Sequence, residues 1–147
     1  MILKKIKTGI CFLLLFLLLG CSIRTDFYIQ NLSNKDKTVI IKYKTSLSDS
    51  KEKFYVRNLN FHYAEGLYTP KKFREDNKGL NLLEKKVGDS SAQFIVPARS
   101  TVRIDRSHNY SWSWIIDYVE IENTKVTQDD FRKNTEHKKY AVLYNIQ

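Results

Sequence analysis

The chain has 147 residues, 42% of them hydrophobic and 28% charged, with a formal net charge of +9, two cysteines and five glycines. That length suits one domain, and so few glycines leave little material for the loops that cradle phosphates. In chain order the first element is a leader. Lys4, Lys5 and Lys7 precede an uninterrupted apolar run over residues 10–19 and then the small residue Gly20, the order of a secretory signal that is removed and takes no part in the fold. The sixteen residues between Lys7 and Arg24 reach only about 24 Å as helix, short of the roughly 30 Å hydrocarbon core that a spanning helix must cross.

The leader ends in Leu18-Leu19-Gly20-Cys21, which resembles the lipobox of bacterial lipoprotein precursors. The resemblance covers the leader alone. It implies cleavage between Gly20 and Cys21, a diacylglyceryl group on the sulfur of Cys21, and a mature N-terminus anchored by its lipid to the membrane. In lipoproteins sorted by the residue after that cysteine, Ser22 looks like outer-membrane routing, which puts the domain in the cell envelope facing the periplasm. Cys11 lies within the apolar run and leaves with the leader, so the mature chain has no disulfide and relies on its core. The remaining 127 residues are enough to bury about two-thirds of their surface. The three leader lysines also go, which lowers the net charge of +9 to +6. With its lysines scattered, as at 42 and 44, 51 and 53, 71 and 72, and 85 and 86, the basic exported surface reads first as a solubilising one, attraction to anionic envelope polymers or lipid headgroups being the alternative, with no nucleic acid as partner.

After a short anchor over residues 21–25, one folded domain over 26–147 is expected. Residues 26–30 and 38–44 read as strands, Val39, Ile41 and Tyr43 alternating with polar neighbours, and the two are expected to pair antiparallel across the polar segment 31–37. Residues 54–63 alternate clearly, with a change of phase near Arg57-Asn58 that calls for a bulge. Residues 69–91 are the least strand-like, and Leu80, Leu83 and Val87 at helical spacing predict a helical turn or two there. Strands follow at 92–96 and 101–105, linked by a turn that Pro97 presets, then a long extended run at 112–122 and a last strand at 139–146. Between these two, Thr127 is placed to cap a short helix, with Asp130 answering it at the third position and Phe131 packing inward. Six to eight short strands with one or two short helices predict an immunoglobulin-like antiparallel β-sandwich, an open β-barrel being the alternative.

No G-x-S-x-G or H-E-x-x-H motif occurs, and His62, His108 and His137 lie far apart with no cysteine to join them, so neither a metal nor a cofactor is expected. Asp129 and Asp130 suit a helix start, and Glu120 and Glu122 the solvent face of a strand. The best recognition feature is Tyr110-Ser111-Trp112-Ser113-Trp114. As an extended strand it would align three rings on one face, to fill the sandwich core in the first reading, or else to stack on sugars or anchor a protein, with Arg103 and Arg106 nearby for carboxylate or phosphate. The expected function is a non-catalytic binding or structural role for a lipid-anchored envelope protein, its partner another envelope protein or an anionic polymer. An inhibitor or immunity protein against a toxin or lytic enzyme, and an enzyme acting on an envelope polymer, are the alternatives.

Overall fold

The computed structural model describes residues 22–46, 60–76, 78–133, 135–138 and 140–147, the stretch 135–138 by its backbone alone. Strands take 51% of the structure and helices 11%, and the strands form two sheets that do not close into a barrel. The expected β-sandwich is what the chain adopts.

Among the described residues, six strands have six residues or more: β1 (Arg24–Asn31), β2 (Lys37–Tyr43), β6 (Ser91–Val96), β7 (Thr101–His108), β8 (Ile116–Ile121) and β11 (Ala141–Ile146). They match the runs whose alternation is visible in the sequence. Five shorter ones extend the edges: β3 (His62–Ala64), β4 (Leu80–Leu82), β5 (Lys85–Val87), β9 (Thr124–Val126) and β10 (Thr135–Lys138). The first sheet has the order β10-β11-β1-β7-β3-β4, and the second β5-β6-β2-β8-β9. Among the described residues, the pairings are antiparallel except that of β1 with β11, where Asp26 faces Ala141 and Asn31 faces Ile146.

The expected pairing of β1 with β2 does not form, because the two strands lie in opposite sheets. The physical reason is the burial of β1. Phe27 and Ile29 point between the sheets, while Tyr28, on the other face, is fully buried as well. A strand covered on both faces belongs at the centre of a sheet, between β7 and β11. The half-buried β2 instead serves a sheet whose outer face meets solvent. Asn31 ties the crossing together by donating from its side chain to the carbonyls of Lys35, Val96 and Pro97.

Two further expectations are corrected. The helix lies at α1 (Pro70–Glu75), not at Leu80, Leu83 and Val87. Thr69 caps it, its hydroxyl accepting from the Lys72 N–H at 3.2 Å, and Pro70 sits at the first position, where a missing N–H costs nothing. Leu80 and Val87 fall in β4 and β5, which belong to different sheets, and the chain crosses between them at Leu83, whose side chain is buried in the main core. The run 112–122 is likewise interrupted, since β8 starts only at Ile116 and β9 follows a tight turn at Glu122 and Asn123, both at positive φ. Such a pair of left-handed residues matches the right-handed twist of a hairpin.

The capped helix at Thr127 forms as expected. In α2 (Gln128–Lys133) the Asp130 N–H donates to Thr127 Oγ1 at 3.2 Å, and the Thr127 N–H to Asp130 Oδ2 at 3.0 Å. Phe131 is fully buried. The expected bulge near Arg57-Asn58 lies outside the described residues, as do Gly20 and Cys21. Among the described residues no helix is long and apolar enough to cross a membrane.

Candidate functional site

The start of β1 is the pivot of the site. Its register pairs Arg24 with His108 and Asp26 with Arg106 on β7, while the parallel β11 brings Tyr140 alongside, the Asp26 N–H donating to the Tyr140 carbonyl at 3.2 Å. On the outer face of this sheet, α1 packs Phe73 edge-on against Tyr28 with ring centroids 5.1 Å apart. The next residue, Arg74, thereby reaches back over the beginning of β1.

Asp26 is only 2% exposed, and burying a carboxylate requires charged partners. It has them. Arg106 Nε donates to Oδ1 at 2.6 Å, Arg74 lies 3.8 Å from Oδ2, and the Tyr28 hydroxyl donates to Oδ2 at 3.2 Å. Burial first, and the Asp26 charge second, push the Tyr28 hydroxyl far above the usual phenol range, so it stays protonated as a donor. Arg103 stands two pairs further along β7, opposite Tyr28 and over the Phe73 ring. Desolvation, and then repulsion from Arg106, lower its pKa. His62, 3.5 Å from Arg103, is pushed below the usual imidazole value, by burial first and then by the Arg103 charge.

Arg24, Arg74, Arg106 and Asp26, with Ser22, Ile23 and Tyr140, line a cleft of about 810 Å³. Arg74 and Arg106 hold the carboxylate while Arg24 lines the same cleft, leaving it two positive charges in excess. Such an arrangement can accept an anion, because Asp26 fixes two arginines in place while the excess charge stays available.

The aromatic stretch is not an extended strand, and its rings do not share a face. Asn109 and Tyr110 both have positive φ (56° and 57°) and form a two-residue turn, with the Ser111 N–H returning to the His108 carbonyl. The turn is clamped to β1 on both sides: Asn109 exchanges bonds with Ile23, and the Tyr110 N–H donates to Thr25 Oγ1 at 3.1 Å. Trp112 then enters the core against Phe131, at 5.9 Å between centroids, and Tyr110 packs partly buried beside that core. Trp114 alone is exposed, at 69%.

The physical cause is Asp105. A bulge between Phe27 and Tyr28 in the pairing with β7 leaves Ile104 and Asp105 both buried, and the Asp105 carboxylate accepts from the Ser113 N–H at 2.6 Å and the Ser113 hydroxyl at 2.7 Å. That clamp folds the loop 109–115 over the end of the sandwich. Burial raises the Asp105 pKa, and the bonds from Ser113 pull the other way.

Of the residues singled out in the sequence, Arg106 and Trp114 thus lie at the exposed end of the sandwich where β1 begins. Arg103 stands inward of the cleft, Trp112 belongs to the core, and His108 is exposed at the end of β7. Sequence reasoning missed Arg24, Asp26 and Arg74. One signal was available for Asp26, a carboxylate at the start of an otherwise apolar strand, but only the pairing shows which arginines answer it. No family model, curated protein or solved structure matches the chain.

Proposed function

We propose that this chain is a lipoprotein of the bacterial cell envelope, anchored through Cys21, whose β-sandwich binds or supports another envelope component without catalysing a reaction. The observation that carries the reading is the apolar leader ending in Leu18-Leu19-Gly20-Cys21. The position of the first strand supports it, since β1 starts at Arg24, only three residues beyond the cysteine. So short a tether keeps the domain against its membrane. Acylated in this way, the protein meets its partners at the membrane surface, and the Ser22 routing signal assigns it to the periplasmic side of an outer membrane where two membranes exist. More than one acyl chain is needed for lasting anchorage, which the diacylglyceryl group supplies.

The test is metabolic labelling with a fatty acid, combined with mass spectrometry of the mature N-terminus. Label on the wild type and none on Cys21→Ala is the expected result. Label retained by that variant, or a mature chain starting elsewhere without lipid, refutes the assignment. Photo-crosslinking from position 114 in living cells then identifies the envelope component.

A further inference from the structure

We propose that the arginine cleft at the start of β1 and the exposed Trp114 form a docking face for a bilayer surface rich in anionic phospholipid, the headgroup phosphate entering the cleft. The inference deepens the lipoprotein reading and rests on it for the location of the membrane.

Three observations converge. The first is position: Ser22 lines the cleft, and Cys21 is the next residue in the chain, one Cα step of about 3.8 Å away. Acyl chains on that cysteine bring the bilayer to the mouth of the cleft.

The second is charge. Arg24, Lys44, Arg74 and Arg106 all belong to this end of the molecule, and Arg24 has no ion-pair partner among the described residues. Asp26 and Asp105 are buried, Glu75 is paired with Lys71, and Asp89 accepts from Ser46; among the described residues Asp117 is a further exposed acid near this end. The opposite end has a smaller hollow of about 150 Å³ lined by Glu120 and Glu122. A phosphodiester offers the geometry that a guanidinium fork accepts.

The third is the apolar rim. Trp114 is 69% exposed, Tyr140 43% and Ile23 38%, and all three belong to the same end of β1: Ile23 precedes it, Tyr140 sits beside Asp26, and the loop bearing Trp114 is tied to Ile23 and Thr25. Tryptophan and tyrosine prefer the level of the headgroups, where a ring is half wet. The Asp105 clamp on Ser113 holds Trp114 outward while Trp112 stays in the core.

The experiment takes the mature protein as cells produce it and mixes it with vesicles of phosphatidylcholine, with or without phosphatidylglycerol, all carrying brominated acyl chains. Sedimentation with the neutral vesicles reads the acyl anchor, and quenching of tryptophan emission reads docking. The expected result is sedimentation with both, and quenching that is markedly deeper when phosphatidylglycerol is present. Trp114→Phe, which leaves the buried Trp112 as the only indole, abolishes the quenching. Arg24→Gln lowers the ratio of docked to undocked protein about fivefold, the effect of one basic residue near an anionic surface.

Protein that sediments with neutral vesicles but is quenched on neither composition overturns the docking and leaves the anchor standing. Equal quenching on both compositions, or full docking by Arg24→Gln, overturns selection of an anionic headgroup. Protein that ignores neutral vesicles yet binds and is quenched on anionic ones upholds the docking and overturns the anchor. Association with neither overturns both.

Discussion

Phe131 joins helix α2 to the core, and its removal should be the most destabilising single truncation among the aromatic residues packed near the start of β1. The side chain is fully buried, with ring centroids 5.0 Å from Tyr144, 5.9 Å from Trp112 and 6.1 Å from Phe27. Truncating a buried phenylalanine costs about 3–5 kcal/mol, a range that already includes the roughly 0.5–1.5 kcal/mol that an aromatic pair contributes beyond area alone. Phe131→Ala should therefore lose about 4 kcal/mol, a large part of the roughly 5–15 kcal/mol that holds a domain together. A helix of six residues has no stability of its own, so α2 should fray in this variant. Urea unfolding monitored by tryptophan emission measures the effect. With a slope of about 2 kcal/mol per M, the midpoint falls by about 2 M. Thr127→Ala provides the scale, because it removes the cap but keeps the ring and should cost about 1 kcal/mol. A loss below about 1 kcal/mol for Phe131→Ala, or a smaller effect than that of Thr127→Ala, would refute the packing argument.

Asp105→Asn should preserve the clamp on Ser113 and alter the pH dependence of stability. Because burial raises the folded pKa of Asp105, its contribution is complete below the unfolded carboxyl value and is lost as pH rises through the folded one. The stability of the variant relative to wild type should accordingly increase with pH above the ordinary carboxylate range, and a constant difference in thermal melts from about pH 3 to pH 8 would contradict it. Asp26→Ala should destabilise by about 2 kcal/mol, since Arg74 and Arg106 lose the carboxylate that holds them but are exposed enough for water to compensate in part. Salt screens the repulsion left among the arginines, so the deficit in urea midpoint should shrink at high ionic strength; a deficit insensitive to salt would show that the arginines do not repel one another.

Which parts of this molecule can be read from sequence depends on the range of the forces involved. Period-2 alternation is a local signal, and all six strands of six residues or more overlap runs expected to be extended. Thr127, Asp130 and Phe131 are similarly local: a cap, its answering carboxylate and a core side chain lie within five positions. The same kind of signal was present in Thr69-Pro70 for the other helix, but the leucine spacing at Leu80, Leu83 and Val87 competed with it and misled. Those residues serve two sheets and a crossing, which mimics a helical period by chance. Partner choice is different, because the alternation of β2 says which face is buried and nothing about which strand lies beside it.

The residues by themselves determined a β-sandwich, a capped helix at Thr127, and the expectation of a lipid anchor at Cys21, because each rests on neighbours within a few positions. Tertiary structure alone decided that β1 is covered on both faces, that Asp26 meets Arg106 eighty residues away, and that Trp112 is core while Trp114 is surface. Strand pairing brings charges together across the chain, and one buried carboxylate, Asp105, bends an aromatic run that alternation would have kept straight.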